Sequence, residues 1–427
     1  MRILHSSDWH LGHRLHDWSR DREHAAFLDW LLGRIAEEEI DALIVAGDVF
    51  DGANPPAEAQ RLFFGFLDRA RLAQPRLQTV VIAGNHDSPA RLEAPRELLG
   101  RFGVRVVGSL RAADLDAATD DRLIVDLADA SGRPGAKVVA VPFLRIGDLL
   151  PGPRAGADGE GDDLVSGVAE VYRRLIDRAR EGRRSGEALI ATGHLYMSGG
   201  RHSELSERKI LGGNLHALPA SIFPEDLSYA ALGHLHLPQC VGSRNDRRYS
   251  GSPIPLSTTE RGYRHQVLVL EFADGELREV RPHLVPRQVE ILRIPEQGAL
   301  PPEDLLDALR ALPAAAGSAV EERPFLEVAA AIVTPEPRLR ERIAEAVLDR
   351  GVRLVRIVID RGGSGDAPAD AEPRESLQDL SPDRVFRRFW SREHQGDPPP
   401  ALLSLFHELV EECERSPDAA APAEGAP

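Results

Sequence analysis

Cysteine, lysine and long apolar runs are scarce in this chain of 427 residues. Its two cysteines, Cys240 and Cys413, lie far apart and form no CxxC pattern, which excludes a thiolate metal site and favours a reducing compartment. No uncharged apolar run is long enough to span a membrane, and the N-terminus has no signal-peptide pattern. We therefore expect a cytoplasmic protein with no membrane contact.

Basic charge is also limited, and nearly all of it is arginine, since Lys137 and Lys209 are the two lysines. The formal net charge of −16 disfavours a protein that coats nucleic acid, because phosphate contacts need positive charge. Much of the acidic excess is local, since residues 361–427 carry 7 Arg against 14 Asp and Glu. A metal-dependent enzyme that acts on nucleic acid stays open, because bound cations offset acidic charge.

The first 280 residues alternate apolar strand-like runs with amphipathic helices, which is typical of an α/β domain at residues 1–281. A chain of this length predicts two or three domains. A helix is expected over residues 20–36, and the Gly, Pro and Asp-rich segment 151–163 is expected to be a mobile loop. Strands are predicted at residues 2–5, 42–46, 79–83, 122–125, 137–141, 188–192, 229–232 and 266–272.

The pattern changes near residue 282. Strands at 289–294, 325–333 and 352–360 alternate with helices at 303–312 and 338–350, which predicts a small α+β domain over residues 282–360. Residues 361–376 have linker composition. Two short helices, 382–390 and 401–414, are predicted within a helical element at 377–415, and a disordered tail at 416–427.

Five predicted strands end in polar groups of the same kind. The segments are "SSDWHLG", "AGDVFDG", "AGNHDSP", "ATGHLY" and "ALGHLHLP". In an open α/β sheet the loops after the carboxyl ends of the strands converge on one crevice. We expect one cluster that contains Asp8, His10, Asp48, Asp51, Asn85, His86, Asp87, His194, His234 and His236.

Each motif alone has an ordinary structural explanation. Asp48 and Asn85 are common turn residues, and a single histidine such as His194 is more often a solvated or packed side chain than a ligand. Five turns that all present metal-binding oxygens and nitrogens are hard to explain by structure alone. Surface or packing roles are expected for His5, His24, His202, His216, His265 and His283, whereas His13 and His16 lie close enough to contact a substrate.

The residue types define the chemistry of this cluster. Mixed carboxylate, amide and imidazole donors without thiolate suit Mn²⁺, Fe or Zn better than Ca²⁺. Seven donors are too many for one ion and are about right for two once water is included. Two such ions activate water for in-line displacement at phosphorus. His86, next to a ligand, is expected to protonate the leaving oxygen, and Asp51 to accept its second N–H.

The motifs "DWHLG", "GDVFD", "GNHD", "GH" and "GHLH" resemble the calcineurin-like metallophosphoesterases. The fuller strings "MRILHSSDWHLG", "FLDWLL", "VAGDVFD", "IATGHL", "ALGHLH", "SGSPIPLS" and "LSPDRVFRRF" are similar to the DNA-repair nuclease branch of that family, over most of the chain. The resemblance implies a sandwich of mixed sheets flanked by helices. Archaeal and eukaryotic repair nucleases of this branch have His at the position of Asp51, so the resemblance favours an Asp51–His86 pair, as in the related phosphatases.

The resemblance also implies the roles of the site residues. One metal would be held by Asp8, His10, Asp48 and His236, and the other by Asp48, Asn85, His194 and His234, with Asp48 bridging and His86 catalytic. The family acts as a 3′→5′ exonuclease on duplex ends and as an endonuclease on hairpins and single strands, with two Mn²⁺ ions and an ATPase partner subunit. It forms a homodimer within a heterotetramer, and the small domain caps the site and binds DNA.

Two alternative functions remain at this point. The first is a dinuclear phosphatase or phosphodiesterase of the same superfamily that acts on a substrate other than DNA; it would not need the small domain or the tethered helices. The second is a catalytically inactive scaffold subunit, which the complete ligand set disfavours.

Two segments suggest contacts with other chains. Residues 57–72 form an unusually apolar helix, which either packs on the sheet or forms the homodimer contact through Phe63 and Phe66. The element at 377–415 presents apolar faces that two short helices cannot bury by themselves. We expect it to dock on the ATPase, the alternative being that it folds back onto its own catalytic domain.

Overall fold

The apolar runs that end in Asp, Asn and His form the central strands of two packed sheets. The computed structural model describes residues 1–110, 122–149, 160–201, 217–315, 319–332, 336–361 and 382–394, with the single positions 317, 334, 398, 399, 402, 403 and 406. The strands are β1 Arg2–Ser6, β2 Arg14–Leu15, β3 Trp18–Ser19, β4 Ala42–Ala46, β5 Gln78–Ile82, β6 Val104–Val107, β7 Ile124–Ala128, β8 Pro134–Ala140, β9 Ala188–His194, β10 Tyr229–Gly233, β11 Gln239–Val241, β12 Arg244–Tyr249, β13 Gln266–Ala273, β14 Glu276–Leu284, β15 Ile291–Ile294, β16 Phe325–Ala331 and β17 Arg353–Asp360.

Helices flank these sheets. They are α1 Asp21–Glu37, α2 Ala57–Ala73, α3 Pro89–Glu93, α4 Arg96–Arg101, α5 Ile146–Leu149, α6 Glu160–Glu181, α7 Pro302–Arg310, α8 Leu339–Val347 and α9 Pro382–Glu393, with 3-10 turns at Ala220–Ile222, Thr258–Gly262 and Val320–Glu322. Within the part of the chain that the structure describes, no helix combines the length and apolarity needed to cross a bilayer.

Both large sheets have six strands and mix parallel with antiparallel pairs. The first has the order β14-β13-β1-β4-β5-β6 and the second β11-β12-β10-β9-β8-β7. Strands β1, β4, β5 and β6 run parallel, as do β8, β9, β10 and β12. Antiparallel pairing adds β13 and β14 at one edge of the first sheet, and β11 and β7 at the two edges of the second. The predicted sandwich of mixed sheets is confirmed, and its parallel centre brings the carboxyl ends of β1, β4 and β5 to one edge.

Two apolar layers stabilise the sandwich. One fills the space between the sheets and beneath α6, and the other lies between the first sheet and helices α1 and α2. Trp9 is fully buried in the second layer, and its ring makes edge-on contacts with Phe27, Phe63 and Phe66 at centroid distances of 5.7, 6.2 and 5.4 Å. Such aromatic contacts fix the turn that follows β1, because Trp9 lies between the site residues Asp8 and His10.

A smaller sheet with the order β15-β16-β17 is covered by α7 and α8. All its strand pairs are parallel. Phe325 of β16 is buried against the first sheet's loops, with the guanidinium of Arg20 lying 5.0 Å from its ring centroid and that of Arg353 lying 3.8 Å from it. Burial of Arg20 is compensated by its ion pair with Glu23 and by its hydrogen bond to the carbonyl of Pro255.

Several predicted elements differ from the structure. Helix α6 begins at Glu160, so the loop predicted for 151–163 is wrong in its last residues, while 151–159 lie outside the described residues. Strand β14 extends the first sheet to Leu284, beyond the expected end of the first domain. The predicted linker apart from residue 361, the tail, and the helix at 401–414 apart from residues 402, 403 and 406 also lie outside the described residues.

Phe63 and Phe66 are not available for the expected homodimer contact, which stays a prediction for the rest of the segment 57–72. Phe63 is fully buried and Phe66 is 1% exposed, because this face of α2 packs on the first sheet. The alternative expectation, that the broad apolar face belongs to the core, therefore holds for these two residues.

Phe63→Ala should lower the free energy of unfolding by about 3–5 kcal/mol, because the substitution removes a buried ring and leaves a cavity. Leu72→Ala on the same helix is the control, since Leu72 is 74% exposed and its truncation should change the free energy by less than about 0.5 kcal/mol. Denaturant unfolding followed by circular dichroism measures both. Equal effects would contradict the assignment of Phe63 to the core.

Candidate metal centre

The turns after β1, β4, β5, β9 and β10 meet at one edge of the sandwich. Asp8, His10, Asp48 and His234 all have positive φ angles, of 54°, 46°, 48° and 101°. Non-glycine residues rarely adopt this region, and such strain concentrates at functional sites. The turns thus hold these side chains in positions that ordinary backbone geometry would not give.

Two motif glycines are required by close packing at this edge. A Cβ atom at Gly47, which has a φ of 91°, would lie 2.3 Å from Nδ1 of His194. A Cβ atom at Gly84 would lie 2.1 Å from Oδ1 of Asp48. Any larger residue would displace a site side chain, which explains Gly before Asp48 and before Asn85.

The Asp48 carboxylate occupies the middle of the cluster. Its Oδ2 lies 3.4 Å from Nε2 of His10 and 3.3 Å from Nε2 of His194, and its Oδ1 accepts the backbone N–H of His86 at 2.8 Å. Burial opposes ionisation, but His194 and His86 outweigh it and hold the pKa of Asp48 well below its usual range. A charged carboxylate between two sets of donors has the position that a bridging ligand needs.

Asp8 is the second buried carboxylate. Its Oδ1 accepts the backbone N–H of His234 at 2.9 Å, and its Oδ2 accepts the hydroxyl of Ser7 at 2.5 Å. The bond from His234 joins the end of β1 to the end of β10, and so connects the two sheets across the site, while the bond from Ser7 holds the carboxylate within its own turn.

Three histidine rings are oriented through Nδ1. Nδ1 of His10 lies 3.1 Å from Oδ1 of Asp51, and Nδ1 of His194 lies 3.0 Å from the carbonyl oxygen of Ala46. Nδ1 of His236 lies 2.9 Å from Oε1 of Glu260. Nδ1–H donates to each of these acceptors, so the neutral form of the ring carries its lone pair on Nε2. Metal-binding histidines are commonly fixed in this way.

Asn85 and His234 complete the cluster. The Oδ1 atom of Asn85 lies 2.9 Å from Nε2 of His194 and 3.1 Å from Nδ1 of His234. Burial lowers the pKa of His234 well below its ordinary value, which keeps this ring neutral and able to donate a lone pair. The structure therefore brings all seven predicted ligands together.

The cluster fits divalent cations. Three groups of side chains have donor atoms within 4.8 Å of one another: Asp8–His10–His236, Asp8–Asp48–His194 and His10–Asp48–His86. Nε2 of His10 is buried without a hydrogen-bond partner. Burial lowers the pKa of His194, yet the Asp48 carboxylate outweighs it and raises that pKa to about 9, so the site attracts positive charge. Carboxylate, amide and imidazole donors are the set that such cations take.

The predicted contact between the Asp51 carboxylate and the second N–H of His86 is corrected. Nδ1 of His86 lies 2.8 Å from the main-chain carbonyl of Asp51, while the carboxylate contacts Nδ1 of His10 and of His13. Burial raises the pKa of Asp51, but hydrogen bonds from both rings outweigh it and lower that pKa far below its usual range. Asp51 thus orients His10 with its side chain and His86 with its backbone.

One residue of the site was not expected from sequence. Glu260 is fully buried beside His236, and nothing in its spacing separates it from a turn residue. Asp87, which was expected in the cluster, supports the turns instead: its carboxylate accepts the backbone N–H groups of Val49, Phe50 and Gly84.

The structure also places several of the other histidines, while His202 and His216 lie outside the described residues. Nε2 of His13 lies 3.0 Å from the carbonyl of Leu256, whereas His16 is exposed. His5, His24 and His265 are buried, as their expected packing role requires. His13 therefore supports the site through Asp51, and no substrate contact is needed to explain it.

Comparison with known proteins agrees with this geometry. The calcineurin-like phosphoesterase model matches residues 1–238, and the type 5 capsule protein repressor C-terminal domain model (SbcD_C) matches residues 276–394. The chain belongs to the calcineurin-like phosphoesterase family, and within it to the group of SbcD proteins, the nuclease subunits of SbcCD. Its motifs had indicated this branch, and the resemblance is confirmed.

The curated relatives are SbcD proteins of the nuclease SbcCD. The protein of Rhodobacter capsulatus is 42% identical over 90% of this chain and 93% of its own length. That of Escherichia coli K12 is 39% identical over 67% of this chain and 68% of its own length, and that of Bacillus subtilis is 36% identical over 65% and 67%. The solved structure of TT1561 from Thermus thermophilus covers 67% of this chain and 99% of its own, at 14% identity and a TM-score of 0.35, which is too low to support an argument.

Metal binding should become tighter as the pH rises from about 6.5 to about 9. His194 is protonated below its pKa of about 9, so a cation must displace that proton, and apparent affinity should rise by up to about tenfold per pH unit before levelling off. Calorimetric titration with Mn²⁺ in two buffers of different ionisation enthalpy measures both affinity and proton release. An affinity that is constant between about pH 7.5 and 8.5, without proton release, would contradict the raised pKa.

Proposed function

We propose that this chain is the metal-dependent nuclease subunit of a complex with an SbcC-type ATPase and hydrolyses DNA phosphodiester bonds in the cytoplasm, in end processing and repair. Its activities are a 3′→5′ exonuclease on double-stranded ends and an endonuclease on single strands and hairpins. The observation that carries this function is that the seven proposed donors lie together in a chain whose relatives are SbcCD nuclease subunits.

Two divalent ions, preferentially Mn²⁺, fit the donors. One ion would be held by Asp8, His10, Asp48 and His236, and the other by Asp48, Asn85, His194 and His234. When bound, the ions supply positive charge that promotes deprotonation of a water nucleophile and neutralises the phosphate oxygens. Glycine turns and the strained backbone keep the ligands in place before substrate arrives.

His86 acts on the leaving group. A carbonyl only accepts, so Nδ1 of His86 carries the proton toward Asp51, and Nε2 is the nitrogen that holds or releases the second proton. The ring is half-buried beside the buried ring of His10, at a centroid distance of 4.7 Å, so it lies where the cluster meets solvent. From there Nε2 protonates the leaving oxygen.

The function is tested with metal-stripped protein to which Mn²⁺ or Mg²⁺ is added back. Duplex and hairpin DNA should be cleaved only with metal, and the SbcC-type ATPase should stimulate cleavage. Rapid hydrolysis of p-nitrophenyl phosphate without cleavage of either DNA would favour the phosphatase alternative. No activity on any substrate, with two metals bound, would favour the inactive scaffold.

Asp48 and His86 should respond differently to substitution. His86→Gln should lower the cleavage rate by on the order of 10²–10⁴-fold with two metals still bound, because it removes proton transfer and no ligand. Asp48→Asn should lower both activity and metal content, because it weakens the bridge. Elemental analysis after dialysis counts the metals.

His283→Gln is the control for both variants, since His283 lies 3.5 Å from Glu38, away from the cluster. It should keep activity and metals. Loss of metal in the His86 variant would instead show that His86 is a ligand. Its donor atom lies within 4.8 Å of those of His10 and Asp48, so that outcome is geometrically possible.

The element at 377–415, which follows the segment of linker composition at 361–376, serves as the ATPase-docking element. On α9, Val385 is 48% exposed and Phe389 is 62% exposed, while Phe386 stacks on Phe406 at 4.2 Å. Apolar side chains on an amphipathic helix suit a groove on a partner. The homodimer within a heterotetramer and the DNA-binding role of the capping domain at 282–360 rest on the family resemblance.

Truncation after Gly365 should keep Mn²⁺-dependent cleavage of simple substrates and weaken ATPase binding. Val385→Asp with Phe389→Asp should also weaken binding, because charge opposes burial of this face. Leu348→Asp is the matched control, since Leu348 is 76% exposed on another helix end. Pull-down with the ATPase measures binding. Unfolding of the truncated catalytic domain, or unchanged binding by the α9 double variant, would contradict docking.

A further inference from the structure

The turn at Thr258–Gly262 holds a buried carboxylate that the metal cluster does not itself include. Glu260 is fully buried. Its Oε1 accepts Nδ1–H of His236 at 2.9 Å, and its Oε2 accepts the backbone N–H of Leu256 at 2.8 Å. An ionised carboxylate is costly to bury without partners, so these bonds fix both the carboxylate and the ring that it contacts.

The same turn is bonded to the small domain. The hydroxyl of Thr258 donates to Oε2 of Glu327, a buried residue of β16. Glu327 also accepts Nε of Arg293 from β15 at 3.0 Å and Nη1 of Arg356 from β17 at 3.1 Å. One carboxylate therefore binds all three strands of the small sheet to the turn that carries Glu260.

Only one residue separates Thr258 from Glu260 along the chain. A shift of β16 that displaces Thr258 must move the Glu260 backbone too, since a 3-10 turn has little freedom over so short a span. His236 would then lose the acceptor that fixes its ring. The small domain is therefore connected to the cluster by the Glu327–Thr258 hydrogen bond, the short segment from Thr258 to Glu260, and the Glu260–His236 hydrogen bond.

We propose that Glu260 is a positioning residue for the metal ligand His236, and that the Thr258–Glu327 hydrogen bond makes this positioning depend on the small domain. This rests on the proposed metal site and adds its regulation. Glu260 fixes the tautomer and angle of the ring, so that Nε2 of His236 faces the cluster. The small domain thereby controls occupancy at one of the two metal positions, the one that contains His236.

Metal titration of the full chain tests the positioning role. Glu260→Gln keeps the size of the side chain but removes its charge, and should weaken Mn²⁺ binding at one of two sites by about 10- to 100-fold. Glu187→Gln is the control, since Glu187 is an equally buried carboxylate that accepts the backbone N–H of Arg184 and lies on another loop. It should bind both metals as the unmodified chain does.

Thr258→Val tests the connection to the small domain. The substitution removes the hydroxyl, keeps the shape of the side chain and leaves the hydrogen bonds of Arg293 and Arg356 to Glu327 intact. It should therefore weaken Mn²⁺ binding at the same metal position several-fold. The melting temperature of each metal-free variant should match that of the Glu187 control, which a merely structural role for Glu260 would not predict.

The possible outcomes are distinct. Wild-type affinity at both sites in Glu260→Gln would overturn the positioning role, and wild-type affinity in Thr258→Val would overturn its dependence on the small domain. In either case a wild-type chain that binds two metals would leave the proposed function intact. A wild-type chain that binds no metal would overturn both.

Discussion

Burial of the carboxylates of Asp8 and Asp48 among histidine rings is the constraint on which the site depends. Neither carboxylate is exposed by more than 2%. Buried anions are costly, and here the compensating charge comes from imidazole groups and from the cations that the cluster fits. Strained turns, glycines without side chains and hydrogen bonds from one sheet to the other hold this arrangement together. The two sheets thus hold the carboxylates of Asp8 and Asp48 and the surrounding histidine rings in fixed positions.

The clustering of the seven proposed ligands could be predicted because its signal is local. Each of these residues follows a buried strand, and parallel strands deliver their ends to one edge. The directions of side chains within turns could not be predicted in the same way. Asp51 lies near His86 as expected, but its carboxylate faces His10 and His13, and its carbonyl faces His86. Spacing of three residues does not determine which oxygen of a residue faces a ring.

Three other differences between the expectations from sequence and the structure also have physical causes. Phe63 and Phe66 lie on the broad apolar face of α2, and the sequence pattern does not specify whether the sheet or a second chain covers it. The start of α6 lies in a Gly and Asp-rich segment that resembles a loop. Glu260 follows an irregular segment without strand or helix periodicity, and its contact with His236 depends on tertiary packing alone.

The most direct test of the bridged two-metal centre is the anomalous diffraction of crystals soaked in Mn²⁺. We predict two peaks, each within coordination distance of the Asp48 carboxylate, one beside His10 and His236 and the other beside Asn85, His194 and His234. A single peak, or two peaks of which one does not contact Asp48, would contradict the bridged centre.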